Sequence, residues 1–181
     1  MKERRIPKET IDRLPLYLRC LDKLIEQGEE NISSENFSSR LNLNSAQVRK
    51  DLSYFGDFGK RGVGYETKKL ASKIRTILNL DQRWRMALVG VGNIGSALLT
   101  YSGFDQRVFK VAMAFDSNPQ LIGQTINGVE VEDVSSLAER ISAEGIKLGI
   151  IAVPASSAQK VADEMVKGGV TGLLNFAPTL L

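Results

Sequence analysis

"ALVGVGNIGSALL", Ala87 to Leu99, decides the fold of more than half of this chain. Three glycines, Gly90, Gly92 and Gly95, fall within six residues between the apolar runs "RMALVG" and "SALLTY". The first run reads as a buried strand and the second as the start of a helix. Gly90-Val91-Gly92-Asn93-Ile94-Gly95 therefore fits G-x-G-x-x-G in its proper strand-to-helix context. In that pattern the first glycine permits a tight turn and the second lets backbone approach a pyrophosphate. The third lets helix and strand pack closely. The helix N-terminus then offers N–H donors and a positive dipole end to phosphate groups.

Working outward, "VFKVAMAFD" is a second apolar strand ending in Asp116, 21 residues after Gly95. A carboxylate there can accept from both ribose hydroxyls of an adenosine and would repel a 2′-phosphate, which predicts NAD(H) rather than NADP(H) as cofactor. The alternation continues with a strand over Gly128 to Val131, a helix over Ser135 to Ala143 and the strand "KLGIIAVP". A helix over Ser156 to Lys167 and the strand "VTGLLNF" complete it. The expected fold of residues 84–181 is α/β, a Rossmann-like doubly wound parallel sheet. The loops "VPAS" and "NFAPT" fall on the same carboxyl edge as the glycine turn, so Val153, Pro154, Phe176 and Pro178 are candidate walls for a nicotinamide.

Residues 1–79 differ in character. Met1 to Arg83 carries 17 Lys+Arg against 12 Asp+Glu, a balance of +5, whereas the rest carries 7 against 9, a balance of −2. A basic part joined to a mildly acidic one predicts two modules, the first facing a polyanion, with 80–83 as linker. Leu14, Leu18, Leu21 and Ile25 fall at helical spacing up to Gly28, with Pro15 expected in the first turn. Ser33 or Ser34 can cap a short helix that turns Phe37 and Leu41 inward; "NLN" breaks it, and Asn44 or Ser45 can cap a second helix running to Phe55. Two short helices across a three-residue turn form a helix-turn-helix pattern.

Val48, Leu52 and Phe55 make the inward stripe of that second helix, with Asp51 to one side. Arg49, Lys50, Ser53 and Tyr54 fall on the remaining arc, with Ser45 and Gln47 near the helix start; all can donate to phosphates or base edges. "GDFGKRGVGYE" then sets Lys60 and Arg61 at a glycine-flanked tip between Phe58 and Tyr65, the pattern of a β-hairpin wing with two cations. Such a tip suits a narrow A·T-rich minor groove. Helix, turn, helix and basic wing together predict double-stranded DNA as a partner. Leu70, Ile74, Ile77 and Leu78 continue as a helix ending near Asn79.

Composition narrows the functional classes. With 181 residues and 43% hydrophobic content the chain can build real cores. No run of eighteen apolar residues and no signal segment stand out, so a soluble, cytoplasmic protein is expected rather than a membrane one. The chain has no histidine, which excludes His-based acid–base catalysis and the common zinc sites. Its single Cys20, between apolar neighbours, reads as a core filler.

Taken in order, "RLPLYLRCL", "VRKDLSYFGDFGKRGVGYE", "GVGNIGSALL", "MAFD" and "GLLNFAPT" resemble the redox-sensing transcriptional repressor family Rex across nearly the whole chain. The resemblance implies a homodimer with a winged-helix domain and a Rossmann domain, bound to inverted-repeat operators. NADH would release it from DNA, while NAD⁺ would permit or support binding. Carried over by motif, Gly90 to Gly95 and Asp116 would hold the dinucleotide, and Tyr101 in "TYSGF" would lie by the nicotinamide. Family chains usually continue beyond "NFAPT" with a strand and a helix inserted between the partner's domains. This sequence stops at Leu181, so that swapped segment is expected to be absent.

The reading is thus a repressor and not an enzyme. The alternatives are a small NAD-dependent oxidoreductase, or a CoA- or nucleotide-binding module, each with a basic accessory domain. The first lacks room for a substrate domain and shows no His or Lys–Tyr pair for a hydride step. Asp116 argues against the second.

Overall fold

The computed structural model describes residues 6–60, 62–101 and 108–181. The chain divides into two compact units, Met1–Asp81 and Gln82–Leu181.

The first unit opens with α1 (Lys8–Glu26), followed by β1 (Asn31–Ile32), α2 (Ser34–Arg40), α3 (Ser45–Ser53), β2 (Gly59–Lys60), β3 (Gly64–Glu66) and α4 (Thr67–Ile77). Helix α1 begins six residues before the expected Leu14, so Pro15 lies inside it and not in its first turn. Pro15 is exposed, and the Ile11 carbonyl that loses its N–H partner there can be solvated instead. Polar residues carry this added stretch: Thr10 and Arg13 reach a partner on α3, described below.

Asn42 sits at a left-handed φ of 54°, which ends α2. The N–H of Leu43 closes back on the Ser38 carbonyl at 2.9 Å. That is a Schellman end, and its αL residue is an Asn, which tolerates the conformation. Two residues on, Asn44 caps α3 by accepting from the Ala46 N–H at 2.7 Å. The turn thus stops one helix and starts the next within "NLN". Helix α4 ends the same way through Asn79 (φ 53°), and the Leu80 side chain packs on the first core. Leu80 therefore belongs with the first unit rather than with a linker.

The wing strands β2 and β3 pair antiparallel, and β1, which periodicity did not reveal, pairs with β3 to make a three-stranded sheet. Gly64 (φ 91°) makes this possible, since a Cβ there would stand 2.3 Å from the Ile32 carbonyl oxygen. The core gathers Leu14, Leu21, Leu24, Phe37, Val48 and Ile74 around Tyr17, whose ring lies 5.6 Å from that of Phe37.

The second unit comprises β4 (Trp84–Val89), α5 (Asn93–Thr100), β5 (Phe109–Asp116), β6 (Thr125–Ile126), β7 (Val129–Asp133), α6 (Leu137–Glu144), β8 (Leu148–Ile151), α7 (Ala155–Lys167) and β9 (Gly172–Asn175). Its six strands are ordered β6-β7-β5-β4-β8-β9. All pairs are parallel except β6 with β7, a hairpin turned by Asn127 and Gly128, both at positive φ. The sheet is therefore mostly parallel rather than wholly so, because "NG" between short strands imposes a primed turn. Before α6 stands a short 3₁₀ turn over Val134–Ser136, where an α-helix was expected to have begun.

Alternate strand residues serve two apolar layers. Ala87, Val89, Phe115 and Ile151 pack under α6 and α7; Met86, Leu88, Ala114 and Ile150 pack with Leu98 and Leu99 of α5 on the other face. A bulge opposite Met86/Ala87 inserts Ala112 and resets the alternation of β5, so that Phe115 enters one core and Asp116 emerges at the strand's carboxyl end.

Candidate functional site

In the second unit the three glycines have separate reasons. Gly90 has φ 92°, and a Cβ on it would lie 2.5 Å from the Ala152 carbonyl oxygen. A Cβ on Gly95 would lie 1.9 Å from the Gly90 carbonyl oxygen, so helix and strand could not meet. At Gly92 nothing lies within 4 Å; its bareness serves whatever approaches from outside. Gly92 also stands at the N-terminus of α5, where among the described residues no side chain caps the first N–H groups.

Asp116 connects the two strand ends. Its Oδ2 accepts from the Val91 N–H at 2.6 Å, pinning the glycine turn, and its Oδ1 accepts from the Asn118 N–H at 2.8 Å. Each carboxylate oxygen keeps a further lone pair for a ligand hydroxyl. Beside it opens a cleft of about 610 Å³ lined by Gly90, Gly92, Asp116, Val153 and Pro154. Leu121, Val134 and Val161 give it apolar walls, and Ser157, Lys160 and Glu164 of α7 give it a polar one. The arrangement can hold an elongated, polyanionic ligand with a vicinal diol: N–H groups for phosphate, a carboxylate for the diol and an apolar slot for a base.

The sequence-predicted residues do not all meet there. Val91 contributes its backbone, its side chain being buried in the core. Asn93 is exposed and Ile94 is half exposed, both outside the lining. Tyr101, Phe176 and Pro178 are exposed and line no part of this cleft. Lys160 and Glu164 went unread in the sequence because, four residues apart on an amphipathic helix, they look like any solvated face.

In the first unit a second cleft of about 410 Å³ lies between the start of α2, Arg49 of α3 and the wing residues Gly59, Lys60 and Gly64. Lys50 and Ser53 are exposed on α3, Ser45 and Tyr54 are half-buried, and Lys60 is exposed at the end of β2. Arg61 lies outside the described residues. Gln47 does not belong to the free arc: its amide donates to Asp51 Oδ1 at 2.8 Å.

Asp51 itself is fully buried, not set to one side. It accepts from Arg13 Nε at 2.6 Å and Nη2 at 2.9 Å, from the Tyr17 hydroxyl at 2.6 Å and from Thr10 Oγ1 at 3.0 Å. Burial is the largest influence on its carboxyl and pushes the pKa up, but the hydrogen bonds from Arg13, Tyr17, Gln47 and Thr10 together outweigh it and hold the pKa down to about 2. Burial first, and then the Asp51 carboxylate, push the Tyr17 phenol up. The Asp51 hydrogen bond likewise raises Arg13, so the pair stays charged. This hub fastens α3, the helix that presents Arg49 and Lys50, to α1. It explains why "KETIDR" joins the helix: Thr10 and Arg13 are spent inward, on Asp51.

Comparison with known proteins joins the two sites. Residues 5–53 match the family described as "Putative DNA-binding protein N-terminus", and residues 81–179 match "CoA binding domain". The redox-sensing transcriptional repressor Rex of Roseiflexus sp. (strain RS-1) is 47% identical over 175 residues, spanning 97% of this chain and 80% of that protein. This chain belongs to the Rex family. Among solved structures, that of RSP, a Rex-family repressor, in complex with β-NAD⁺ and operator DNA superposes with a TM-score of 0.91. It is 36% identical over 97% of this chain and 81% of that one. RSP in complex with β-NADH gives 0.87 at 34% identity, over 98% and 83%. The α/β fold read from the glycine turn is thus the Rex fold. Among the described residues, no helix is long and apolar enough to cross a membrane.

Proposed function

We propose that this chain is a transcriptional repressor rather than an enzyme, that it binds operator DNA through α3 and the wing, and that NAD(H) in the cleft of the second unit governs the binding. One observation carries the reading. A glycine turn pinned to Asp116 and a helix-turn-helix with a cationic wing occur in one chain whose relatedness to Rex spans both. The domain assignment follows: a DNA-binding unit over residues 1–79, extended by Leu80, which packs on its core, and an NAD(H)-binding unit over 84–181.

The dinucleotide fits the cleft on its own terms. The pyrophosphate would lie over Gly92, where no Cβ obstructs it, against the first N–H groups of α5. The adenosine ribose would donate to Asp116, and its base would enter between Leu121 and Val161. When bound, the nicotinamide supplies the redox difference that the protein senses. The glycine turn and Asp116 hold the remainder, identical in both redox states. Operators with two half-sites need two recognition helices at fixed spacing, so the functional species is a homodimer on an inverted repeat.

Titration of NADH, NAD⁺ and CoA by fluorescence, with and without duplex DNA, tests this. NADH is expected to bind and to weaken DNA binding. Asp116→Ala should lose about tenfold or more in NADH affinity, because hydrogen bonds to a charged acceptor are worth about 1.5–3 kcal/mol, and NADPH should gain relative to NADH. CoA binding in place of NADH, or an unchanged affinity in the variant, would overturn the assignment of the cleft.

A further inference from the structure

Arg49 is not simply an exposed cation on the DNA-facing arc. Its Nη1 donates to Ser34 Oγ at 2.9 Å and to Glu35 Oε1 at 3.3 Å, and the Ser34 hydroxyl in turn donates to the same Glu35 oxygen at 3.2 Å. The three side chains close a ring at the wall of the groove between α2, α3 and the wing. The base of that ring is firm. Ser33 caps α2 by accepting from the Asn36 N–H at 3.1 Å, and Phe37 anchors the helix with no exposure. Glu35 is held charged, chiefly by its own backbone N–H and then by Ser34 and Arg49, which keep its carboxyl below the usual range.

Stability does not account for the ring. The side chains of Arg49 and Glu35 are 52% and 69% exposed, and an ion pair so placed adds little to a fold. An acid beside the DNA-facing surface also repels phosphates. What the ring does achieve is geometric. A guanidinium has five N–H donors in a rigid plane, and Nη1 is engaged by Ser34 and Glu35. Among the described residues nothing else accepts from Arg49, so Nε and Nη2 keep three donors, two of them side by side along one edge of the plane. That planar edge matches the O6 and N7 acceptors of guanine in the major groove.

We propose that Ser34 and Glu35 are positioning residues for sequence reading: they clamp one side of the Arg49 fork so that its other side meets a guanine. The proposal rests on the DNA-binding reading above. Its signature is two effects of opposite sign. Removing the Glu35 charge frees the fork, which costs discrimination at one base, and removes a repulsion, which raises affinity for DNA at large. A residue with a merely structural role would lower both.

The experiment uses the full chain. Duplexes selected from a random pool by the unaltered protein serve as probes, each guanine being replaced in turn by 7-deazaguanine, which lacks N7. The unaltered protein should lose about tenfold at one guanine per half-site, and Arg49→Ala should be indifferent there. Glu35→Gln and Ser34→Ala should both lose most of that discrimination, while Glu35→Gln binds unselected duplex as tightly as the unaltered chain or more so. Full discrimination retained in Glu35→Gln, or an equal loss on every sequence, would overturn the clamp. So would selected duplexes at which Arg49→Ala reads the same guanine. A chain that enriches no duplex at all would instead overturn the DNA-binding reading, and the clamp with it.

Discussion

At Asp51 a single carboxylate with no exposure gathers donors from Thr10, Arg13, Tyr17 and Gln47. Taking such a charge out of water is costly, and it is sustained only because every lone pair is used. Asp51→Asn keeps the shape but removes the charge and turns an N–H₂ toward donors. A loss of about 3 kcal/mol in urea unfolding of the first unit is expected, as for other broken buried pairs. The pH dependence has a definite sign. The folded pKa, about 2, lies below the ordinary 3.8, so the stabilisation is full above the ordinary value and is lost as pH falls through about 2. It amounts to about 2 kcal/mol. Unfolding followed between pH 5 and pH 2 should show that fall in the native chain and its absence in Asp51→Asn. A matching slope in both would mean that other carboxylates carry the acid sensitivity.

Among the elements, the strand–turn–helix from β4 to α5 separates folding from binding within six residues. Gly95→Ala would drive a methyl group into the Gly90 carbonyl, backbone that cannot move without parting helix from sheet. A loss of about 3 kcal/mol or more, or failure of the second unit to fold, is expected. Gly92→Ala meets nothing within 4 Å at an ordinary φ of −71°, so thermal unfolding should shift little, by about 0.5 kcal/mol or less. The same methyl group would occupy the space over which a pyrophosphate passes, and NADH titration should show an affinity reduced at least tenfold. Unfolding and titration together check the separation; a Gly92→Ala chain that binds NADH normally would place the phosphates elsewhere.

For the whole molecule, the proposed regulation is a coupling free energy between two sites on two units. Thermodynamic linkage requires that operator DNA weaken NADH binding by the same factor by which NADH weakens DNA binding. The two factors, measured by calorimetry and by DNA titration at one salt concentration, are expected to agree. NADH affinity unchanged by saturating DNA would remove NADH as the effector. Phosphate contacts should appear separately: neutralising Lys60 ought to weaken binding to all duplexes and lower the salt slope by about one.

Much of this was legible in the chain itself. The glycine turn, the strand ending in Asp116 and the helix-turn-helix with "NLN" at its bend depend on local steric and capping rules. These act within a few residues, so spacing alone discloses them. The apolar pair Val48 and Leu52 needed only helical periodicity, whereas Phe55, expected on the same helix, lies beyond its end at Ser53 and still packs on the core. What tertiary structure decided were the fates of polar residues. Asp51 and Gln47 look like members of a wet helix face until α1, some forty residues earlier, supplies Arg13 and Tyr17. Arg49 looks like an unattached cation until α2 brings Ser34 and Glu35 beside it. Strand β1, two residues long, exists only because β3 offers it a partner. Apolar residues announce their burial through periodicity, because water rejects them in any context. A polar side chain is at home in water or against a partner, and only the folded chain determines which it meets.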